Sequence, residues 1–459
     1  MSERWQRWLG PRALVFLFVL TLPLVTPRIR GADEIEYFSY LHSIVFDRDL
    51  EFGNEYEYFY ARDPQGLAGF KATFLDRREP KTLRHINFGP IGSALLWSPF
   101  YLLTHGGVRL AQWLGMRVAA DGLSRPYEAS ACYASALYGL LGLLLIHDTL
   151  RRWGGFDAST ATHSVVALWL GSPVVYYMTI APVFSHACSL FVVALLLWLW
   201  LRTRAAADAS VWRWCLVGAA GGLAGLVREQ DIFFLLLPGL DLLVSAWRER
   251  RMAPLLTRGG ALSIGAIAAF LPQLLAYHAI NGSFGPSTLV RQKMNWASPH
   301  FFEVLCDPGH GLFIWTPLLV VAVFGLVAAA WRRRRLVPTL LCFGFLSQAW
   351  IGGCVESWTQ AGAFGSRRFV GTTLIFAWGL AFALAAVARR RRLLVTAIVA
   401  VAVWWNLSLM VQFGLKIMDR QRLEWPRVLV NQFVEVPARL GRTAFLFFTD
   451  RERLVKESR

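Results

Sequence analysis

The sequence predicts an all-α, polytopic membrane protein with about eleven spanning helices and a long first external loop. Three observations carry this reading. The 459 residues are 55% hydrophobic and only 17% charged, whereas a soluble chain carries about a quarter charged residues. Mean hydropathy is positive, at +0.42. The apolar residues also come in long blocks, many matching the roughly 20 residues that a helix needs to cross a bilayer core.

The net charge of +17 would suit a nucleic-acid binder, but its distribution argues otherwise. The basic residues form short clusters between apolar blocks: Arg4, Arg7 and Arg12; Arg151 and Arg152; Arg202 and Arg204; Arg248, Arg250 and Arg251; Arg332 to Arg335; Arg389 to Arg392. Cationic loops that stay cytoplasmic give this pattern, and membrane lipids, anionic ones above all, are their expected partners. No nucleic-acid partner is expected.

Taken in order, the apolar run Ala13 to Val25 follows three arginines and looks like a signal peptide. The Arg28-Ile29-Arg30-Gly31 sequence after it lacks a small-residue cleavage site, so residues 12–27 are expected to remain as the first span. The polar stretch that follows holds nine of the 30 acidic residues between Asp33 and Asp63, opposed only by Arg48 and Arg62, and reads as external. The block Phe88 to Leu114 is broken by Pro90, Pro99 and Gly106-Gly107. If it crossed the bilayer, every later arginine cluster would face outward, so an interfacial helix is expected there.

Spans are then expected at 127–150, 158–178, 183–202, 211–227, 230–247, 259–280, 311–331, 336–352, 369–388 and 393–414. This divides the chain into a transmembrane catalytic domain, 1–414, with its first external loop at 28–126, and a C-terminal tail, 415–459, expected outside. The six cysteines include no CxxC pair. Cys132, Cys188, Cys215 and Cys342 read as packing residues, whereas Cys306 and Cys354 fall in or beside external loops, where a disulfide is permitted.

The sharpest chemical feature is Gly31-Ala32-Asp33-Glu34-Ile35-Glu36-Tyr37, where the chain leaves the first span. Asp33 and Glu34 can serve as catalytic base or divalent-metal ligand, or else one of them caps a surface helix, with Asp33 as the capping residue. Arg228, with Glu229 and Asp231 beside it, lies at a junction between two apolar helices, where ionisable groups are functional by default. A guanidinium there suits a phosphate. Arg367 and Arg368 fall in an external loop against the positive-inside pattern and are a second phosphate candidate, with Ser366 as an added donor and glycines allowing close approach. Glu356, Trp358 and Gln360 in the same loop are candidates for sugar contact. Lys81, Arg84 and His85 precede the interfacial helix and could meet phosphate or acceptor. His186, Asp307 and His310 lack the close spacing of a zinc site.

The acidic motif resembles the first external loop of the GT-C superfamily, which includes protein O-mannosyltransferases and the lipid A aminoarabinose transferase. The resemblance continues through Ser172-Pro173-Val174-Val175-Tyr176-Tyr177, Pro182-Val183-Phe184-Ser185-His186-Ala187 and Gly222-Leu223-Ala224-Gly225-Leu226-Val227-Arg228-Glu229. It implies a membrane glycosyltransferase that moves a sugar from a polyprenyl-phosphate donor to a hydroxyl acceptor on the external, periplasmic side of the inner membrane. In that family the acidic residue after the first helix acts at the acceptor hydroxyl, the position of Asp33 here, and a basic residue faces the lipid phosphate, the position of Arg228. Many members carry an aspartate near the start of the fourth helix, where this chain has His186. A transporter or flippase would instead place charges in mid-span and show repeat symmetry. A polysaccharide polymerase or ligase would carry its main loop late in the chain.

Overall fold

A computed structural model describes residues 10–206, 210–333, 335–360, 362–389, 391–451 and 453–454. Of the arginine clusters, Arg4, Arg7, Arg334 and Arg390 lie outside the described residues. The protein is α-helical, and no strand occurs among the described residues. Among the described residues, seven helices are long and apolar enough to cross a membrane, and Pro11–Leu24, Val211–Val227 and Leu318–Arg332 are shorter apolar helices.

Two expected spans are interrupted, and proline explains both. The stretch 158–178 is realised as Ala158–Leu170 and Val174–Thr179. Pro173 has no N–H and disfavours helical geometry just before it. The carbonyls freed at the break are not wasted: the Asn406 amide donates to Leu170 O at 2.9 Å and to Ser172 O at 2.8 Å, as broken backbone at membrane depth requires. Likewise 311–331 divides into Leu312–Trp315 and Leu318–Arg333 around Pro317, and the Trp405 indole N–H donates to the Trp315 carbonyl at 3.0 Å. Two further spans begin as 3-10 turns, Glu229–Leu235 and Arg367–Thr372, before continuing as Leu236–Glu249 and Thr373–Ala388. The block at 88–114 forms one helix, Gly92–Trp113, and carries Pro99 inside it.

The chain forms two compact units, 24–142 with 177–294, and 1–23 with 143–176 and 295–459. In the first, the Val211–Val227 and Ala253–Asn281 helices pack backbone to backbone. A methyl group on Gly218 would come within 1.9 Å of the Leu262 carbonyl, and one on Gly265 within 2.1 Å of the Cys215 carbonyl. Lipid offers no hydrophobic drive for helix association, so small residues that permit this approach hold the pair together. The outer stripe of the second helix, Ile264, Ile267, Leu271 and Leu275, is exposed at helical spacing and suits acyl chains. Asp241 is buried, yet its carboxylate accepts from Trp200 Nε1 and Arg204 Nε, each at 3.0 Å, which keeps an intramembrane charge paired.

In the second unit the segment after 414 packs into the body instead of forming a separate piece. Met418, Leu423 and Val428 join Trp315, Phe364, Leu409 and Phe413 in a buried cluster. Gln432 also hydrogen bonds Gln412 at 2.9 Å.

Candidate functional site

The acidic motif folds as the start of the Ala32–His42 helix, with Gly31 as its N-cap. Glycine offers no side-chain acceptor, so the third residue of the helix closes the end. Glu34 Oε2 reaches back to the N–H groups of Arg30 and Gly31, each at 2.8 Å. The capping role expected for Asp33 therefore belongs to Glu34. Burial pushes the Glu34 carboxyl up to about 7, against the two N–H donors that pull it down. A carboxyl so enclosed and committed to its own helix end is a poor candidate for a base or metal ligand. Asp33, one residue earlier, is only half-buried.

Glu36 was not among the candidates read from sequence, and it faces the core of this region. It is 5% exposed and accepts the Phe88 N–H at 2.6 Å. Burial, and then the charge of Asp33, raise its carboxyl well above the usual range, with the Lys293 ammonium acting in the opposite direction. Glu36 thus ties the acidic helix to the entry of the Gly92–Trp113 helix. The Asn87 amide donates to the Glu36 carbonyl at 2.9 Å and strengthens the same joint.

Arg228 sits where the Val211–Val227 helix ends. Its backbone is extended, at φ −148° and ψ 119°, before the 3-10 turn Glu229–Leu235 begins. The helix end is pressed against the start of the Gly92–Trp113 helix, and a methyl group on Gly92 would come within 2.4 Å of Leu226 backbone atoms. The Arg228 guanidinium donates from Nη1 to Ser185 Oγ at 3.1 Å and from Nη2 to Gln230 Oε1 at 3.4 Å. Its Nε is buried and has no hydrogen-bond partner among the described residues.

Ser185 links this arginine to the acidic helix. The Tyr37 phenol lies within reach of Ser185 and of the Arg228 charge, both of which act to lower it. Burial raises the Tyr37 phenol, so it stays neutral. Phe184, the preceding residue, packs against Gly31: a methyl group there would lie 3.3 Å from the Phe184 ring. Glu229 completes the turn and accepts a hydrogen bond from the Tyr277 hydroxyl. Asp33, Tyr37, Ser185 and Arg228 therefore belong to one assembly within the unit 24–142 with 177–294.

Several other sequence candidates have different surroundings. His186 is buried with its ring stacked on Phe184, centroids 6.0 Å apart, and against Tyr177 at 4.5 Å. Beside it, Ser185 accepts from the Arg228 guanidinium. His85 is held by Glu51 and by Arg78, the latter at 2.9 Å, and Arg84 donates to the Leu50 carbonyl at 3.4 Å. Lys81 is exposed and lies near Gly282.

The loop of the other unit that carries Arg367 and Arg368 gives its two arginines different surroundings. Arg368 Nη1 donates to Gly352 O at 3.2 Å, and Nη2 to Ser357 O at 3.0 Å and Ser357 Oγ at 3.3 Å. The Arg368 N–H donates to Gln360 Oε1 at 3.2 Å, while Gln360 Nε2 donates to Ser366 Oγ at 3.2 Å. Arg368, Gln360 and Ser366 therefore close the loop onto the preceding helix end. Gly365 is required by this turn, with φ +59° and Pro173 packed where a side chain would stand. Arg367 is half-buried and within electrostatic reach of His310, whose ring it helps keep neutral after burial, the larger cause. Trp358 stacks on His300, centroids 5.4 Å apart, and Glu356 is exposed. Asp307 accepts the Gly309 N–H at 2.6 Å, and His310 Nε2 hydrogen bonds the Ala363 carbonyl at 2.7 Å. Cys306 and Cys354 are free thiols, so the disulfide that their loop positions permit does not form.

No family model matches the sequence, and no curated protein matches it either. The fold, in contrast, is found among solved structures. ArnT from Cupriavidus metallidurans bound to undecaprenyl phosphate superposes with a TM-score of 0.55, at 17% identity, over 97% of this chain and 76% of that one. ArnT from the same organism in the apo state gives a TM-score of 0.51, at 19% identity, over 97% and 77% of the respective chains. The chain thus has an all-α fold that it shares with these ArnT structures.

Proposed function

We propose that the protein is a membrane glycosyltransferase that uses a polyprenyl-phosphate-linked sugar, with Asp33 as general base and Arg228 as the phosphate ligand. The observation that carries the reading is the Tyr37–Ser185–Arg228 contact, which links the helix that Asp33 begins to an arginine at an unwound helix junction. The shared fold with ArnT, whose structure holds undecaprenyl phosphate, supports it as analogy.

In the proposed reaction an acceptor hydroxyl attacks the anomeric carbon of the donor sugar. The bond from that carbon to the phosphate oxygen breaks, and polyprenyl phosphate leaves with one additional negative charge. The hydroxyl proton passes to Asp33. Arg228 offers charge-assisted hydrogen bonds to the phosphate, strongest as the leaving oxygen becomes anionic. Its guanidinium is already oriented by Ser185 and Gln230, so little reorganisation accompanies binding. Glu34 and Glu36 hold the helix that presents Asp33. Arg367 is a separate phosphate-ligand candidate, tested by its own substitution.

Purified protein in lipid vesicles, given a panel of radiolabelled polyprenyl-phosphate sugars and extracted membrane acceptors, should transfer label from at least one donor. Lipid-linked label that crosses the bilayer with no transfer from any donor would favour a flippase instead.

A further inference from the structure

A second cluster lies at the other end of the acidic helix, away from Asp33. His42 ends the Ala32–His42 helix, Asp47 ends the π-helical turn Ser43–Asp47, and Glu55 lies in the first turn of the Gly53–Arg62 helix. The left-handed backbone of Arg48, φ 61°, lets the chain reverse between them. His42 Nδ1 lies 2.8 Å from Glu55 Oε1 and 3.2 Å from Asp47 Oδ2. One ligand atom from each of the three side chains falls within 4.8 Å of the others.

Two further observations separate this cluster from an ordinary acidic patch. Glu55 is fully buried, and its second oxygen, Oε2, has no hydrogen-bond partner among the described residues. Covalent geometry keeps that oxygen beside Oε1 at the same cluster, where an unpaired buried carboxylate oxygen is costly. The second observation is that the other edge of the His42 ring faces the 121–122 segment, where a methyl group on Gly122 would lie 2.8 Å from His42 Cδ2 and the Asp121 backbone acts on the ring as a hydrogen-bond partner. A metal-ligating histidine typically gives its other N–H to a backbone carbonyl or carboxylate in this way, which turns the remaining nitrogen lone pair toward the ion. Asn54 Nδ2 donates to Asp47 Oδ2 at 2.8 Å and orients the third ligand. His42 also stacks on Phe46, centroids 5.1 Å apart and planes 5° from parallel, which fixes the ring.

We propose that His42, Asp47 and Glu55 bind one divalent transition-metal ion, zinc by ligand type, and that the ion anchors the end of the acidic helix to the first external loop. One imidazole nitrogen and two carboxylates form a zinc ligand set that leaves a fourth position for water. Metal-to-ligand bonds of about 2.0–2.2 Å in a tetrahedron put the ligand atoms roughly 3.3 Å apart, close to the observed 2.8 and 3.2 Å. Calcium and magnesium prefer all-oxygen sets with more ligands, so they fit poorly. At 1.5 Å per residue the cluster lies about 13 Å along the helix from Asp33. The ion therefore positions the helix and does not touch the reacting atoms.

The test uses the full-length chain, free of any histidine tag, stripped with chelator and dialysed against zinc chloride. Elemental analysis after removal of loose metal should give about one zinc per wild-type chain. Glu55→Gln keeps the shape and the hydrogen bond to His42, so it should fold, yet it should hold zinc at least about tenfold more weakly. His42→Gln should do the same. Cobalt chloride serves as a second probe, because a tetrahedral nitrogen–oxygen site colours it intensely and the colour should vanish in both variants. A wild-type chain that retains no zinc, or variants that retain it at wild-type affinity, would overturn the proposal.

Discussion

Replacing Arg228 by alanine probes the phosphate end of the site. The side chain is half-buried, its fork is oriented by Ser185 and Gln230, and its buried Nε is left over. A charged hydrogen bond to an anionic oxygen contributes about 1.5–3 kcal/mol. Arg228→Ala should therefore weaken binding of a short-chain polyprenyl phosphate by roughly 10- to 150-fold. Arg228→Lys should recover only part of this, since it keeps the charge and loses the planar fork. Ser185→Ala removes a neutral acceptor that aims the guanidinium, for a loss of about 1 kcal/mol, or roughly fivefold. Quenching of tryptophan fluorescence in detergent micelles can follow all four proteins, with thermal unfolding as the check on folding. A folded Arg228→Ala protein with wild-type affinity would refute the assignment.

Two further predictions follow from the same geometry. The Glu34 carboxyl is raised to about 7 in the folded protein from an ordinary 4.5. The folded state thus binds more protons than the unfolded one across that window, so stability should fall as pH rises from about 4.5 to about 7 and then level off. The full effect is at most about 3 kcal/mol. Glu34→Gln should remove only the share of this slope that Glu34 supplies, as read from unfolding temperatures between pH 5 and pH 8, and an unchanged slope would count against the burial argument. Topology gives the other test: in a Cys306→Ser background, a cysteine at the exposed Gln65 should react with an impermeant thiol reagent in intact cells, and one at Arg251 should not.

Much of the architecture was legible because the bilayer imposes a simple code. Apolar length and arginine placement located the helices, and the Gly92–Trp113 helix falls within the block marked by Pro90 and Pro99. The breaks at Pro173 and Pro317 were visible as prolines but were read through, because the groups that satisfy the freed carbonyls, Asn406 and Trp405, come from distant sequence. The site was legible in part for a related reason. Arg228 stands out as a charge between apolar helices, whereas Tyr37 and Ser185 are ordinary residues whose role exists only through their partners. Arg368 looked like a cation in search of an anion. Its partners are backbone carbonyls at a helix end, which no local pattern announces. The exchange of roles between Asp33 and Glu34 turns on Gly31: a helix start without a capping side chain recruits the acid three residues on.

The most direct test of the account is sugar transfer by Asp33→Asn. Asparagine keeps the size of the side chain and cannot take a proton, and general-base help is typically worth about 10²–10⁴-fold in rate. Transfer from a labelled polyprenyl-phosphate sugar should fall by at least the lower figure, while the protein still folds and still binds polyprenyl phosphate with wild-type affinity. Wild-type transfer by folded Asp33→Asn would contradict the central claim.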